Sequence, residues 1–148
     1  MSTSHPISDI TRAHYDQFLK INTEFVHWLA PLDAARLDYI LERATYAKQI
    51  DEAQAVLIGY PHDVDYPDHE NITWLHKNLE TFFYIDRIII DAQAQGKGYG
   101  RRLYEDIADF ARTRGYPYIA CEVNTVPNNP TSHDFHLAMG FTPLGEEI

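Results

Sequence analysis

Ile7, Asp9 and Thr11 alternate with Ser8 and Ile10, a period of two that predicts a short opening strand. Thr11 then stands as the N-cap of a helix whose inward stripe is Tyr15, Phe18, Leu19 and Asn22, at i, i+3, i+4 and i+7. The stripe closes on Asn22, where an apolar side chain is expected. Beyond Glu24, Trp28 and Pro31, Asp33 is the N-cap of a second helix with Leu37, Ile40, Leu41 and Ala44 inward. Residues 46–60 read as two strands, the clearer being Ala55 to Tyr60, with Asp51 and Glu52 near the turn. Residues 61–80 are rich in Pro, His and Asp and read as irregular, with a helical turn at Ile72 to Leu79. Phe82 to Ile90 is a nearly continuous apolar run, the pattern of a strand in the middle of a sheet.

The next helix opens on glycines and carries Leu103, Ile107, Phe110 and Ala111 on its apolar stripe. Arg101, Arg102, Glu105, Asp106, Asp109 and Arg112 face water, and Gly115 ends it. Residues 118–124 alternate again, Tyr118, Ala120, Glu122 and Asn124 on one face, Ile119, Cys121 and Val123 on the other. Asn129 and Pro130 pair an N-cap with an N1 proline. A short helix follows to Met139, Gly140 caps it, and Phe141 starts a last strand. The order β-α-α-β-β-β-α-β-α-β predicts one α/β domain over residues 1–148, built around a mixed sheet.

Charge narrows the function classes. Lys plus Arg number 12 against 22 Asp plus Glu, a formal net charge of −10. A nucleic-acid binder needs a basic face, so no nucleic-acid partner is expected. The acidity favours a cationic acceptor slightly, and serves solubility in any case. A lone cysteine, Cys121, forms no internal disulfide and no multi-cysteine zinc site, and its mid-strand position reads as core packing rather than a nucleophile. No apolar run reaches the ~18 residues of a membrane span, and Met1 to Pro6 carry no leader pattern. The expected location is the cytoplasm, with no membrane partner. His62, His69 and His76 recur every seven residues, and His133 and His136 lie three apart. Neither spacing supplies a converging ligand set, so no metal is expected.

Gln95-Gly96-Lys97-Gly98-Tyr99-Gly100 carries the strongest chemical signal. Glycines at every second position, between an apolar strand and an amphipathic helix, present backbone N–H groups at a helix N-terminus, where a pyrophosphate is stabilised. A tight turn without ligand is the alternative, although one glycine would serve that. The dinucleotide fingerprint fails because Arg101 stands where its third glycine belongs. The phosphate loop of nucleotide hydrolases fails because Asp91 replaces its first glycine and Gly98 its Ser or Thr. What remains is Q-x-x-G-x-G at Gln95, Gly98 and Gly100.

With Ile88-Ile89-Ile90-Asp91 before it, and Glu122-Val123-Asn124, Asn129, Phe135-His136 and Gly140-Phe141 after it, this segment resembles the GNAT superfamily of N-acetyltransferases. The resemblance implies a GNAT (acyl-CoA N-acyltransferase) fold, a mixed and mostly antiparallel sheet flanked by helices. It implies acetyl-CoA as co-substrate and direct attack by an acceptor amine in a ternary complex. The backbone of Ile88 and Ile90 would pair with the pantetheine arm. The amides of Gln95, Gly96, Lys97, Gly98, Tyr99 and Gly100 would hold the pyrophosphate, and Asn129 would contact the CoA arm.

The family tyrosine near the end is His136 here. His136 would act as the acid for the leaving thiolate, or position substrate, or simply pack. Glu122 and Asp86 are the two carboxylates considered for general base. For Asp86 a surface ion pair with Arg87 is the alternative, and for Glu122 a structural hydrogen bond. Asn22, Glu24, Trp28 and Asn124 would border the acceptor. The expected activity is N-acetylation of a primary amine, on a small molecule or a peptide N-terminus. The alternative is an inactive CoA-binding or sensing module. Edge strands and the long 61–80 segment are compatible with a homodimer.

Overall fold

The computed structural model describes residues 5–25, 31–122 and 130–142. Five strands lie side by side in chain order: β1 (Ile7–Asp9), β2 (Tyr46–Ile50), β3 (Ala55–Pro61), β4 (Phe83–Ile90) and β5 (Ile119–Ala120). The first four are mutually antiparallel, and β5 joins β4 in parallel. The helices are α1 (Tyr15–Glu24), α2 (Ala34–Arg43), α3 (Glu70–Leu75), α4 (Tyr99–Thr113) and α5 (Pro130–Ala138). This is the mixed, mostly antiparallel sheet with flanking helices that the family resemblance implies.

Both faces of the sheet are apolar because both are covered. On one face Phe18 and Ile21 of α1, Leu37 and Ile40 of α2, and Ile72 and Leu75 of α3 pack on Val56, Ile58 and Tyr60. On the other, Leu103, Ile107 and Ala111 of α4 pack on Leu57, Phe83 and Ile85. β3 contributes alternately to the two cores, so all of its residues but Pro61 are buried. The Asp33 carboxylate caps α2 by accepting from the Arg36 N–H (2.8 Å).

Four details differ from the sequence reading. Thr11 caps a 3-10 turn, Arg12–His14, and α1 begins only at Tyr15. The 61–80 segment is organised by α3, whose N-cap is the ring of His69, accepting from the Ile72 N–H. Of the strand expected over 118–124, the described residues pair only at Ile119 and Ala120, and 123 and 124 lie outside the described residues. Ala120 and Cys121 still point to opposite cores, as alternation requires. Finally, Phe141 and Thr142 are not in the sheet. The Phe141 ring packs instead against Tyr104 and His136, and its N–H donates to the His136 carbonyl.

Candidate active site

β4 is irregular at its middle. Ile58 pairs with Arg87 but Gly59 pairs with Ile85, which leaves Asp86 as one extra residue, a β-bulge. Gly59 stands opposite. A Cβ there would lie 2.6 Å from Phe83 Cε2 and 3.1 Å from the Tyr84 carbonyl oxygen. The bulge resets the side-chain alternation. Phe83 and Ile85 pack toward α4 before it, and Ile88 and Ile90 do so after it. Asp86 and Arg87 therefore both turn to the face covered by α1.

There the two form an ion pair, Arg87 Nε to Asp86 Oδ1 at 2.6 Å, with side chains only 8% and 7% exposed. The surface ion pair that the sequence suggested is thus a buried one, and it has further partners. Tyr60 donates to Asp86 Oδ2 at 2.6 Å. Arg87 Nη1 donates to Asn22 Oδ1 at the end of α1, 2.8 Å away. The Tyr60 oxygen lies 2.8 Å from His69 Nε2, and His69 Nδ1 accepts from the Ile72 N–H at 3.2 Å. Burial, then the Asp86 charge, keeps the Tyr60 proton in place far above the usual phenol range. Burial also holds the His69 imidazole below its ordinary value, although Asp86 pulls the other way. Asn22 is almost fully buried, and Glu24, two residues on, is exposed.

β4 also parts from β5. The parallel ladder consists of Phe83 with Ile119 and Tyr84 with Ala120. Cys121 and Glu122 lie outside any strand, while β4 runs on to Ile90 with no sheet partner on that edge among the described residues. A strand edge with free N–H and C=O groups can pair with any extended chain laid along it. Glu122 is exposed beside this opening, and its charge helps raise the Tyr84 phenol and the Cys121 thiol. Burial is the larger cause for Cys121, pushed up to about 12, so the thiol is a core group rather than a nucleophile.

The glycine loop follows β4. Asp91 caps a 3-10 turn, Ala92–Ala94, accepting from the Gln93 N–H (3.0 Å) and from Gln17 Nε2 (3.0 Å). After the extended Gln95, Gly96 (φ 87°) and Gly98 (φ 80°) are left-handed, and a Cβ on either would meet nothing within 4 Å. Gly98 is the N-cap of the 15-residue α4. Backbone donors and a helix dipole thus face open space, with Lys97 and Arg101 exposed beside them. Gly100 has a different purpose: a Cβ there would touch the Phe135 ring at 3.0 Å, so it lets α5 approach α4. The Tyr99 ring turns inward and its hydroxyl donates to Asp51 at 3.0 Å, so its side chain serves the core.

His136 of α5 is buried, with Nε2 2.6 Å from the Tyr104 oxygen and its ring against Phe135 and Phe141. Burial keeps the Tyr104 hydroxyl protonated. Trp28, Asn124 and Asn129 lie outside the described residues. His62 and His76 face each other (ring centroids 5.5 Å apart), but His69 belongs to the Tyr60 network, and no metal-holding group of three or more His, Cys, Asp or Glu occurs among the described residues. The sequence reading missed Tyr60, His69 and Tyr104 as site-related groups. Two are aromatic residues inside apolar patterns, and His69 sits in a segment without periodicity.

A family model described as the acetyltransferase (GNAT) family matches residues 72–141. No curated protein matches the chain. Among solved structures, the aminoglycoside N-acetyltransferase AAC(6')-Iy in complex with CoA superposes with a TM-score of 0.71 at 16% identity, covering 100% of this chain and 94% of the other. A ribosomal-protein-alanine N-acetyltransferase from Brucella melitensis biovar Abortus 2308 gives 0.70 at 15% identity, covering 99% and 97%. The aminoglycoside 6'-N-acetyltransferase AAC(6')-IG from Acinetobacter haemolyticus gives 0.68 at 15%, covering 97% and 94%.

Proposed function

This chain belongs to the GNAT superfamily of acetyltransferases, and from that premise we propose that it moves an acetyl group from acetyl-CoA to a primary amine. One observation carries the reading. The β4 edge beyond Tyr84, without a sheet partner among the described residues, leads into two left-handed, unobstructed glycines at the N-terminus of α4. The edge suits an amide-bearing pantetheine arm, with Ile88 and Ile90 supplying backbone partners. The loop amides from Gln95 to Gly100, joined by Asn129, suit the pyrophosphate and the CoA arm.

The thioester supplies the activated acyl carbon. The amine nitrogen attacks it in a ternary complex, the carbonyl electrons return, and the C–S bond breaks. The nitrogen must lose a proton and the thiolate must gain one. Glu122, exposed at the opening, is the proton acceptor in this reading, with Asp86 the second carboxylate within the site. His136 stands in the sequence position of the family tyrosine and supplies or orients the proton for the thiolate. The exposed Glu24 and Glu122, in a chain of net charge −10, favour a cationic acceptor, with Asn22, Trp28 and Asn124 bordering it. Aminoglycosides and a ribosomal-protein alanine, the acceptors named for the similar structures, point to the two classes to screen first, small-molecule amines and peptides.

The test is calorimetric binding of acetyl-CoA with ATP and NADH as controls, followed by thiol release with an amine panel. We expect acetyl-CoA alone to bind, and binding to be lost in Gly98→Glu, whose side chain would fill the open space above the loop. An intact fold without acetyl-CoA binding would overturn the proposal. Binding without turnover of any amine would leave a CoA-sensing module, for which the replacement of the family tyrosine by the Tyr104-bound His136 is the structural mark.

A further inference from the structure

Five side chains from four parts of the chain form one part-buried hydrogen-bonded line: His69, Tyr60, Asp86, Arg87 and Asn22. Its direction follows from donor counting. His69 Nδ1 accepts from the Ile72 N–H, so in the neutral ring the hydrogen sits on Nε2. Nε2–H therefore donates to the Tyr60 oxygen, and the single Tyr60 hydrogen points at Asp86 Oδ2. The opposite polarity would set the Tyr60 lone pairs against a carboxylate at 2.6 Å. Asp86 Oδ1 receives Arg87 Nε, and Arg87 passes a second hydrogen to Asn22. Every bond thus runs toward the carboxylate or toward Asn22, and the backbone of α3 sets the first of them.

Asp86 is the extra residue of the bulge and lacks a ladder partner of its own, so its side-chain bonds fix it. Through it the line ties the start of α3 and the end of α1 to the point where β4 leaves β5. The end of α1, with Asn22, borders the acceptor in the reading given above, on which this inference rests, and the line fixes it to β4 and α3. We infer that Tyr60 and His69 are positioning residues for the acceptor site. With both oxygens already holding donors, Asp86 anchors the wall that the amine docks against.

The test uses the full chain and two variants, Tyr60→Phe and His69→Asn. Asparagine keeps an acceptor for the helix N-terminus but does not reach Tyr60. The acceptor probe is whichever of kanamycin, spermidine or an alanine-initiated peptide the wild type turns over. In both variants KM for that amine should rise about five- to tenfold, the loss expected for one buried hydrogen bond. The acetyl-CoA Kd by calorimetry should stay within about twofold, because the glycine loop is untouched. Nitrogen NMR of the wild-type imidazoles should place the His69 hydrogen on Nε2.

Unchanged amine KM in both folded variants would overturn the inference, as would equal losses for amine and acetyl-CoA, or a hydrogen found on Nδ1. If Tyr60→Phe does not fold, His69→Asn decides by the same split. Absence of wild-type turnover with every amine is a different failure. It sinks the transferase reading itself.

Discussion

Gly59→Ala tests the bulge directly. One methyl group would stand 2.6 Å from Phe83 Cε2, 3.1 Å from the Tyr84 carbonyl oxygen and 3.2 Å from Ile107 Cδ1. The first of these is far inside van der Waals contact. Phe83 has no surface to move into: it is fully buried and wedged edge-on between Phe110 and Tyr116. Alanine recovers something, since glycine inside a strand or helix costs roughly 0.5–1 kcal/mol in backbone entropy. Overpacking a filled core costs about 1–3 kcal/mol, occasionally more, and here the neighbours include backbone, so the steric loss wins. For a domain of this size each kcal/mol moves Tm by roughly 2–4 °C, so calorimetry should find a fall of about 1–10 °C. In a double-mutant cycle Phe83→Leu should be partly compensated by Gly59→Ala, with a coupling of at least about 0.5 kcal/mol. A Tm within about 1 °C of wild type would refute the claim that glycine is needed opposite Asp86.

Two further outcomes follow from buried titrating groups. Tyr60, Tyr46, Tyr84 and Tyr104 hold their phenol protons above the usual value of 10, chiefly by burial. A folded value above the unfolded one means stability that is complete below pH ~10 and lost as pH rises toward the folded values. Tm should therefore drop steeply across that range, and phenolate absorbance should rise together with unfolding rather than before it. Separate phenolate titration in the native protein would contradict the burial. The Cys121 thiol, pushed up to about 12, should resist iodoacetamide in the native protein at pH ~8 and react readily in denaturant. Rapid native alkylation would show that the thiol is not a core group.

The parts of the fold legible in the sequence were those with a period. Leu37 and Ile40 behind the Asp33 cap, and Leu103, Ile107 and Ala111 behind the glycines, took the positions that helical spacing assigns them. The alternation of Ala120 and Cys121 was kept even where strand pairing had stopped, because it depends on the local backbone and not on a partner. The site was legible where chemistry forces a residue type, as at Gly96 and Gly98 with their positive φ. The Gly100 signal was equally visible but belonged to packing, since sequence does not distinguish a glycine that admits a ligand from one that admits Phe135. His69 was not legible, because its cap role depends on a short helix in a segment without apolar periodicity.

The bulge explains why Asp86 could not be assigned from the pattern around it. In a regular strand Asp86 and Arg87 would face opposite cores. One charge would then be buried against Leu103 and Ile107, an arrangement that costs several kcal/mol per unpaired ion. The extra residue removes that problem by letting Tyr84, Asp86, Arg87 and Ile89 share the α1 face while Ile85, Ile88 and Ile90 share the other. Two charged residues in an otherwise apolar run are thus compatible with a fully covered strand only if the strand skips a beat between them. The same irregularity lies close to where the β4–β5 ladder ends, Asp86 being two residues past Tyr84. A single device accordingly serves two needs: it brings a satisfied ion pair into the interior, and it marks where the sheet opens an edge. Gly59 belongs to the same irregularity by position, but what requires it is the close approach of Phe83, the Tyr84 carbonyl and Ile107.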